Sequence, residues 1–404
     1  MSETFIVGVN YWPAQTAMLW WQRFDPAVLE RDFARLKEAR LDYVRFFLLW
    51  EEFQPEPARV SRHALGRLIV VADVAHSVGL RLMPTFFTGH MSGVNWLPTW
   101  MLTSETSADR FPVFSGGKLG HRRIRNYYQE RTLWEAQKQL IGAVVQALAG
   151  HPALWAWDLG NESSNYVVPP DRLTAQQWLW EMVEQIKRYD SRHPVTLGLH
   201  MEDLQEDRHL GPAEAATACD FLCMHGYPVY APWADGPTDA ALLPFLGLLT
   251  RWLGGKEVLF EEFGIPTEPT IGPPLSEAER VKLAGVPLVS EEAAMQFYQQ
   301  AVALLHRYGM IGALAWCYSD YDPTLWTEPP CQQNVHERFF GLFRYNGSAK
   351  PAVSVLREFA EATPERSEPD LSWIDLEPEH YYEQPAQHLV RLYRRFKQRL
   401  DRAT

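Results

Sequence analysis

The first candidates for chemistry in this sequence are two glutamates 100 residues apart. Glu162 closes the run WAWDLGNE, and Glu262 lies in VLFEEFG, each at the downstream end of a short apolar stretch. Two carboxyl groups facing one another across a cleft are what hydrolysis of a glycosidic bond requires. One protonates the leaving oxygen, and the other attacks the sugar or activates water. VLFEEFG contains a second carboxylate, Glu261. Neighbours on a strand point to opposite faces, so one of the pair should face the cleft and the other should point away.

The elements that must position these residues are legible as an alternation. Short β-rich runs at 5–10, 42–48, 80–85, 154–159, 195–199, 221–225, 258–260 and 312–316 read as strands. Several are nearly continuous apolar segments, the pattern of parallel strands covered on both faces. Amphipathic stretches at 26–39, 65–78 (before Gly79 as a C-cap), 131–149, 174–189 and 291–308 read as the intervening helices. Eight such βα alternations predict an α/β chain folded as a (β/α)8 barrel, with an open doubly wound sheet as the weaker alternative. Catalytic residues of such a barrel sit at the C-terminal ends of strands, where Glu162 and Glu262 fall.

Two connections, 86–131 and 265–290, far exceed the usual few residues of a βα loop and are expected to build the cleft. A last barrel helix is expected over 353–362. Residues 1–362 are therefore read as the catalytic barrel. Residues 363–404 are read as an extension, a connector and then an amphipathic helix over 385–400 packed on the barrel.

Composition narrows the class. The chain has 404 residues, 46% of them hydrophobic, with 16 Trp, 16 Tyr and 20 Phe, enough for a large core. Lys plus Arg number 38 against 50 Asp plus Glu, and no basic cluster offers a nucleic-acid grip. The Trp excess favours flat ligands such as sugars. Neither a secretory leader nor an apolar stretch of membrane-spanning length is visible, so a cytoplasmic location is expected. Four cysteines are too few for a disulfide framework, and Cys219 and Cys223 read as core thiols. No cluster with metal-ligand spacing is visible, so neither metal nor other cofactor is expected.

With these residues in place the sequence resembles glycoside hydrolase family 5, the cellulase family, in the clan of retaining (β/α)8 glycosidases. The resemblance covers most of residues 5–362. It rests on NE ending strand four, EFG ending strand seven, Arg45 in YVRFFLLW, His225 and Tyr227 in HGYP, and Trp316 in LAWCYSD. It implies that Glu162 is the acid/base and Glu262, directly before the aromatic–Gly pair, the nucleophile. It implies that Arg45 orients the nucleophile, that His225 and Tyr227 lie against the two carboxylates, that Asn161 binds the sugar 2-hydroxyl, and that Trp316 floors the subsite of the attacked sugar. His90 and Trp96, in GHMSGVNW, are candidates to line the cleft, as are Trp12 and Tyr11 after strand one. Glu51 and Asp158 are weaker candidates.

The expected reaction is cleavage of β-glucosidic bonds in short oligosaccharides or small glycosides by double displacement. Glu262 should be kept ionised by Arg45, while burial and the charge of Glu262 should keep a proton on Glu162. The alternatives are a β-mannosidase or mannan-directed enzyme of the same clan, more distantly a β-galactosidase, and a catalytically silent carbohydrate-binding barrel. The partner expected is a small carbohydrate, with no nucleic acid or membrane involved. The oligomeric state is open.

Overall fold

A computed structural model describes residues 4–362 and 368–403. Eight parallel strands form one sheet: β1 Ile6–Asn10, β2 Tyr43–Leu49, β3 Arg81–Thr88, β4 Trp157–Asn161, β5 Val195–Gly198, β6 Leu222–His225, β7 Val258–Phe263 and β8 Gly312–Ala315. Their order is β5-β4-β3-β2-β1-β8-β7-β6. The two ends of that order meet through a parallel bridge between His200 and His225, and Asp220 N donates to Val195 O at 2.8 Å. The chain is a (β/α)8 barrel, as the alternation predicts.

The inside of the barrel is layered by side-chain type. Ile6, Met83, Ala156, Phe221, Cys223, Leu259 and Leu314 form an apolar plug separate from the outer core. Two residues further along their strands the inward positions turn polar. Thr85, Asp158, His225 and Glu261 stand there, with Asn10 four residues beyond Ile6, all buried and joined by Arg45 from β2. Period-two alternation thus carries apolar side chains at the bottom and charges toward the mouth.

The helices start where their caps dictate. Asp25 accepts from Ala27 N before α1 (Pro26–Glu38), and Ser61 caps α2 (Arg62–Val78), which ends on left-handed Gly79. α3 (Arg131–Leu148) follows the long third loop, and Asp171 caps α4 (Arg172–Lys187). α5 (Pro212–Ala216) is short, and Ser290 caps α7 (Glu291–Arg307). α8 (Ala352–Glu361) closes the set.

The sixth helix, α6 (Leu242–Gly254), carries no polar stripe to reveal it in sequence; ten of its residues are buried. An apolar helix needs cover on its outer side. α9 (Pro385–Ala403) lies against it, with the rings of Tyr393 and Phe396 at 5.2 and 5.9 Å from Phe245. Tyr381 and Tyr382, just before α9, donate to the carbonyls of Leu204 and Asp203, both at 2.8 Å. The first residues of the expected connector, 363–367, lie outside the described residues.

The third loop is not irregular. It folds into a small four-stranded sheet (His90–Met91, Val94–Trp96, Val113–Ser115, Lys118–Gly120) and a two-stranded one. The segment after β8 is also long and packs over the mouth with short helical turns at Pro323–Leu325 and Val335–Phe339. The sequence reading had marked only the third and seventh connections as long.

Candidate active site

Arg45 organises the site from below. Its guanidinium is wholly buried, donates to Asp158 Oδ2 from Nε at 3.0 Å and Nη2 at 2.7 Å, and reaches Asn161 Oδ1 at 2.8 Å and Asn10 Oδ1 at 3.1 Å. Nη1 donates to Glu262 Oε1, and Nε lies 3.2 Å from Glu261 Oε1. One buried cation thus faces three carboxylates. Burial and the charge of Glu261 push Asp158 up to about 7 against the pull of Arg45. The Asp158 carboxylate also accepts from Thr85 Oγ1 and from Gly198 N, which ties strands β3, β4 and β5 together beneath the mouth.

Above this layer stand the two glutamates. Glu162 follows β4 in a left-handed conformation (φ 47°), which turns its side chain over the barrel axis. Its Oε1 lies 2.9 Å from His225 Nδ1, its Oε2 accepts from Asn165 Nδ2 at 3.1 Å, and His90 Nε2 is 4.0 Å away. Glu262 Oε2 accepts from the Tyr227 hydroxyl at 2.7 Å and lies 3.6 Å from His225 Nδ1. Glu162, His225 and Glu262 present ligand-type atoms that all lie within 4.8 Å of one another. The oxygens of this group are already engaged with Arg45, Tyr227, Asn165 and His225, so protein donors supply the positive charge a metal would bring.

Strand seven departs from the expected pleat. Val258 and Phe260 pack in the outer core while Leu259 faces the barrel interior, so simple alternation sends Glu261 inward. The pairing register of β7 with β8 shifts between Phe260 and Phe263, and that with β6 shifts between Met224 and His225. The irregularity brings Glu262 inward as well. Glu261 therefore does not point away, as the sequence reading expected. It is fully buried, and its Oε2 lies 2.9 Å from His225 Nε2.

The charges also sit differently from the expectation. Burial opposes a charge on His225, but the charge of Glu262 and the hydrogen bonds to Glu162 and Glu261 outweigh it and push the imidazole up to about 10. Burial likewise opposes ionisation of Glu162, yet the charges of His200, His225 and His90 hold its carboxyl well below the usual range. Burial lifts Glu262 above its ordinary value, against the pull of His225 and Arg45. These directions favour a proton on His225 over one on Glu162.

A cavity of about 330 Å³ opens above these groups, lined by Glu162, Glu262, Asn161, His225, Tyr227, Trp316 and His90 among others. The Asn161 amide is held by the His90 carbonyl at 2.6 Å. Trp96 is not brought to this cavity: its Nε1 donates to Met91 O at 3.2 Å and its ring packs on Phe114 within the small sheet. Trp12 also stays out, buried edge-on against Trp316 with ring centroids 4.6 Å apart, so it props the floor instead of forming it. Tyr11 turns away to Asp32, and Glu51 holds the third loop through Gly116 N.

Residues the sequence reading missed stand on the same cavity. His200, Glu202, Arg110, Tyr230, His336 and Glu337 line it. His200 carried a usable signal, since it directly follows strand five in LGLH. Its Nε2 is 2.8 Å from Ser164 Oγ, which also donates to Asp203 Oδ1 at 2.6 Å. The other residues come from loops whose path no local pattern reveals.

Comparison with known proteins follows this geometry. GH5_18 from Streptomyces cattleya, solved in complex with GlcNAc, shares the fold with a TM-score of 0.77 at 20% identity, over 96% of this chain and 88% of that one. The exo-beta-1,4-mannosidase Op5Man5 from Opitutaceae bacterium strain TAV5 matches with a TM-score of 0.69 at 25% identity, over 89% of this chain and 59% of that one. The resemblance to glycoside hydrolase family 5 holds. By sequence, mannan endo-1,4-beta-mannosidase 4 of Oryza sativa subsp. japonica is 27% identical over 134 residues, 29% of this chain. That match spans only 28% of the relative's own length. No family model matches the chain.

Proposed function

We propose that the protein is a retaining β-glycoside hydrolase of family-5 type that releases mannose from β-mannosides of short chain length. The observation that carries the reading is the pair Glu162 and Glu262 at the ends of β4 and β7, with an oxygen of each inside the 4.8 Å cluster around His225. Carboxyl groups roughly 5–5.5 Å apart suit direct attack by one of them, whereas inverting enzymes keep ~6.5–9.5 Å for an intervening water. The preference for mannosides over the glucosides expected from sequence is supported by the names of two of the similar proteins, an exo-beta-1,4-mannosidase and a mannan endo-1,4-beta-mannosidase. A cavity of about 330 Å³ suits a short substrate. Four buried free cysteines suit a reducing, cytoplasmic setting.

In this reading Glu262, gripped by Arg45 and Tyr227, attacks the anomeric carbon. Glu162 protonates the departing oxygen, drawing its proton from His225 Nδ1 at 2.9 Å. The glycosyl ester removes the negative charge of Glu262. Glu162, now ionised, takes a proton from the incoming water and returns it to His225 as the ester is cleaved. Atoms and charge balance over the cycle, and the β configuration is retained.

Hydrolysis of 4-nitrophenyl β-mannoside, β-glucoside and β-galactoside, and of β-1,4-mannobiose, followed by NMR of the first-formed anomer, tests this. The β-mannoside should be preferred and β-mannose should appear first. A preference for the glucoside would overturn the sugar assignment, and α-mannose as first product would overturn the mechanism.

A further inference from the structure

Strand order locates the leaving-group side of the cavity. β4 and β8 stand four strands apart in the closed barrel, so Glu162 and Trp316 face one another across its mouth. With the attacked sugar on Trp316, the group that departs with the proton of Glu162 lies toward β4 and its neighbour β5. That side is walled by Asn165 after β4, by His200, Met201 and Glu202 after β5, and by Arg110 of the third loop. Arg110 Nη1 reaches across to Glu202 Oε1 at 2.5 Å and joins the third and fifth loops.

Asn165 and Glu202 are already paired at both ends. Arg208 Nη2 donates to Glu202 Oε2 at 2.7 Å, so each oxygen of that carboxylate holds a guanidinium. Asn165 donates to Glu162 and accepts from Arg208 Nη1 at 3.2 Å. His200 differs. Its ring lines the cavity although the residue is only 5% exposed. The single Ser164 hydroxyl proton goes to Asp203 Oδ1, and Arg208 Nη1 donates to Ser164 Oγ at 3.1 Å. Nε2 of His200, 2.8 Å from that oxygen, is therefore its second donor. The backbone N of His200 donates to Asp203 Oδ2 at 3.0 Å, which fixes the residue from both sides. Nδ1 takes no protein partner among the described residues and, unlike the sealed Nδ1 of His336, is open to the cavity. A hydroxyl can accept from this nitrogen or donate to it, so it matches the ring neutral or protonated. An apolar group leaves the nitrogen unpaired as water is displaced.

We propose that His200 is a specificity-determining residue for the leaving group: Nδ1 hydrogen-bonds a hydroxyl of the unit whose bridging oxygen Glu162 protonates, so the cavity favours glycosides of another sugar over glycosides of an apolar alcohol. The proposal rests on the reading of this cavity as a β-glycosidase site with Glu162 as its acid. It adds that the fifth loop, braced by Ser164 and Asp203, selects what departs.

The test compares β-1,4-mannobiose with cyclohexyl β-mannoside, whose leaving group is ring-sized and needs a proton but carries no hydroxyl. In His200→Ala, kcat/KM should fall at least ten times further on mannobiose than on the cyclohexyl glycoside. Weaker acid assistance by Glu162 would hurt the more basic cyclohexyl leaving group at least as much, so it does not mimic this result. Of two mannobioses deoxygenated at C3 or at C6 of the reducing unit, one should cost the wild type at least tenfold and His200→Ala less than threefold. Equal losses on mannobiose and the cyclohexyl glycoside would confine His200 to Glu162 and the fold and overturn the proposal, as would no loss, or two deoxy analogues that cost the wild type nothing. If His200→Ala melts far below the wild type, His200→Gln, which keeps a donor for Ser164, decides by the same ratios. Wild-type activity on another β-glycoside but not on mannosides would defeat the sugar assignment alone, and the same substrate set built on that glycosyl unit would then decide His200. Absence of any β-glycosidase activity would overturn both readings.

Discussion

Glu261 and Glu262 are adjacent on one strand, yet both carboxyl groups lie inside the barrel and share the guanidinium of Arg45. Glu262 faces the cavity and Tyr227, while Glu261 sits beneath it against His225 Nε2. The arrangement makes His225 a bridge with a carboxylate on either ring nitrogen. Glu261 thereby becomes a positioning residue for the histidine and arginine that touch the two glutamates.

Glu261→Ala is accordingly predicted to be severe, not mild. It removes one partner from a fully buried ion-pair network, a change that typically costs about 3–5 kcal/mol. Thermal unfolding should show the loss directly. Glu261→Gln keeps the shape and an acceptor oxygen for His225, so it should fold better yet shift the pH profile of kcat to lower pH, because His225 loses the charge that holds its proton. A Glu261→Ala protein with wild-type stability and an unmoved profile would return the residue to a bystander.

The outline of the barrel was legible because parallel strands and their helices carry strong, local periodicity. Glu162, His225 and Tyr227 were legible because each sits at the mouth end of such a strand or directly after it, and Arg45 because a charge inside an apolar strand demands a buried partner. Glu261 was misread because the register shift in β7 depends on how β6 and β8 pair with it, not on residues 258–263 themselves. α6 was missed because its outer face is covered by α9, which erases the polar stripe. Glu337 and His336 were invisible because their position follows from the path of a long loop, and Trp12 and Trp96 were named for the cleft because an aromatic in a loop looks the same whether it lines or props.

His225 yields a prediction on pH. Its folded value is pushed up to about 10 from an ordinary value near 6.5. A group raised in the folded state stabilises fully below its unfolded value, and that contribution is lost as pH rises through the folded one. The stability margin of the wild type over His225→Asn should therefore be largest below about pH 6.5 and shrink toward pH 10. Thermal melts across that range measure it, and histidine-selective NMR should show an imidazolium still present at pH 8. A neutral ring at pH 8 would remove the proton store from the mechanism.

The tail offers a test of the extension proposed for residues 363–404. Leu389, Leu392, Tyr393 and Phe396 are all buried, and Tyr382 holds the carbonyl of Asp203, whose carboxylate binds Ser164 beside His200. Deleting 364–404 exposes α6 and frees the loop that carries His200. The thermal midpoint should drop by several degrees or the protein should become insoluble, and KM should rise more than kcat falls in whatever remains folded. A fully stable deletion protein that has lost only self-association would show that α9 serves an interface instead.

The roles of the two glutamates separate most sharply by leaving group. In Glu162→Gln, Glu262 can still attack, but the aglycone departs without a proton. A 2,4-dinitrophenyl glycoside barely needs that proton, so its first step should survive while natural disaccharides lose several orders of magnitude. Water then attacks without base assistance, and the glycosyl-enzyme should accumulate as a burst of dinitrophenolate, visible by mass spectrometry as an adduct on Glu262. In Glu262→Ala no ester can form, so both substrate classes should fail together, and azide should restore turnover by giving an α-glycosyl azide. Since Glu261 lies beneath Glu262 and bonds His225, an adduct mapped to Glu261 would show that the strand-seven geometry is inverted and would reassign the nucleophile.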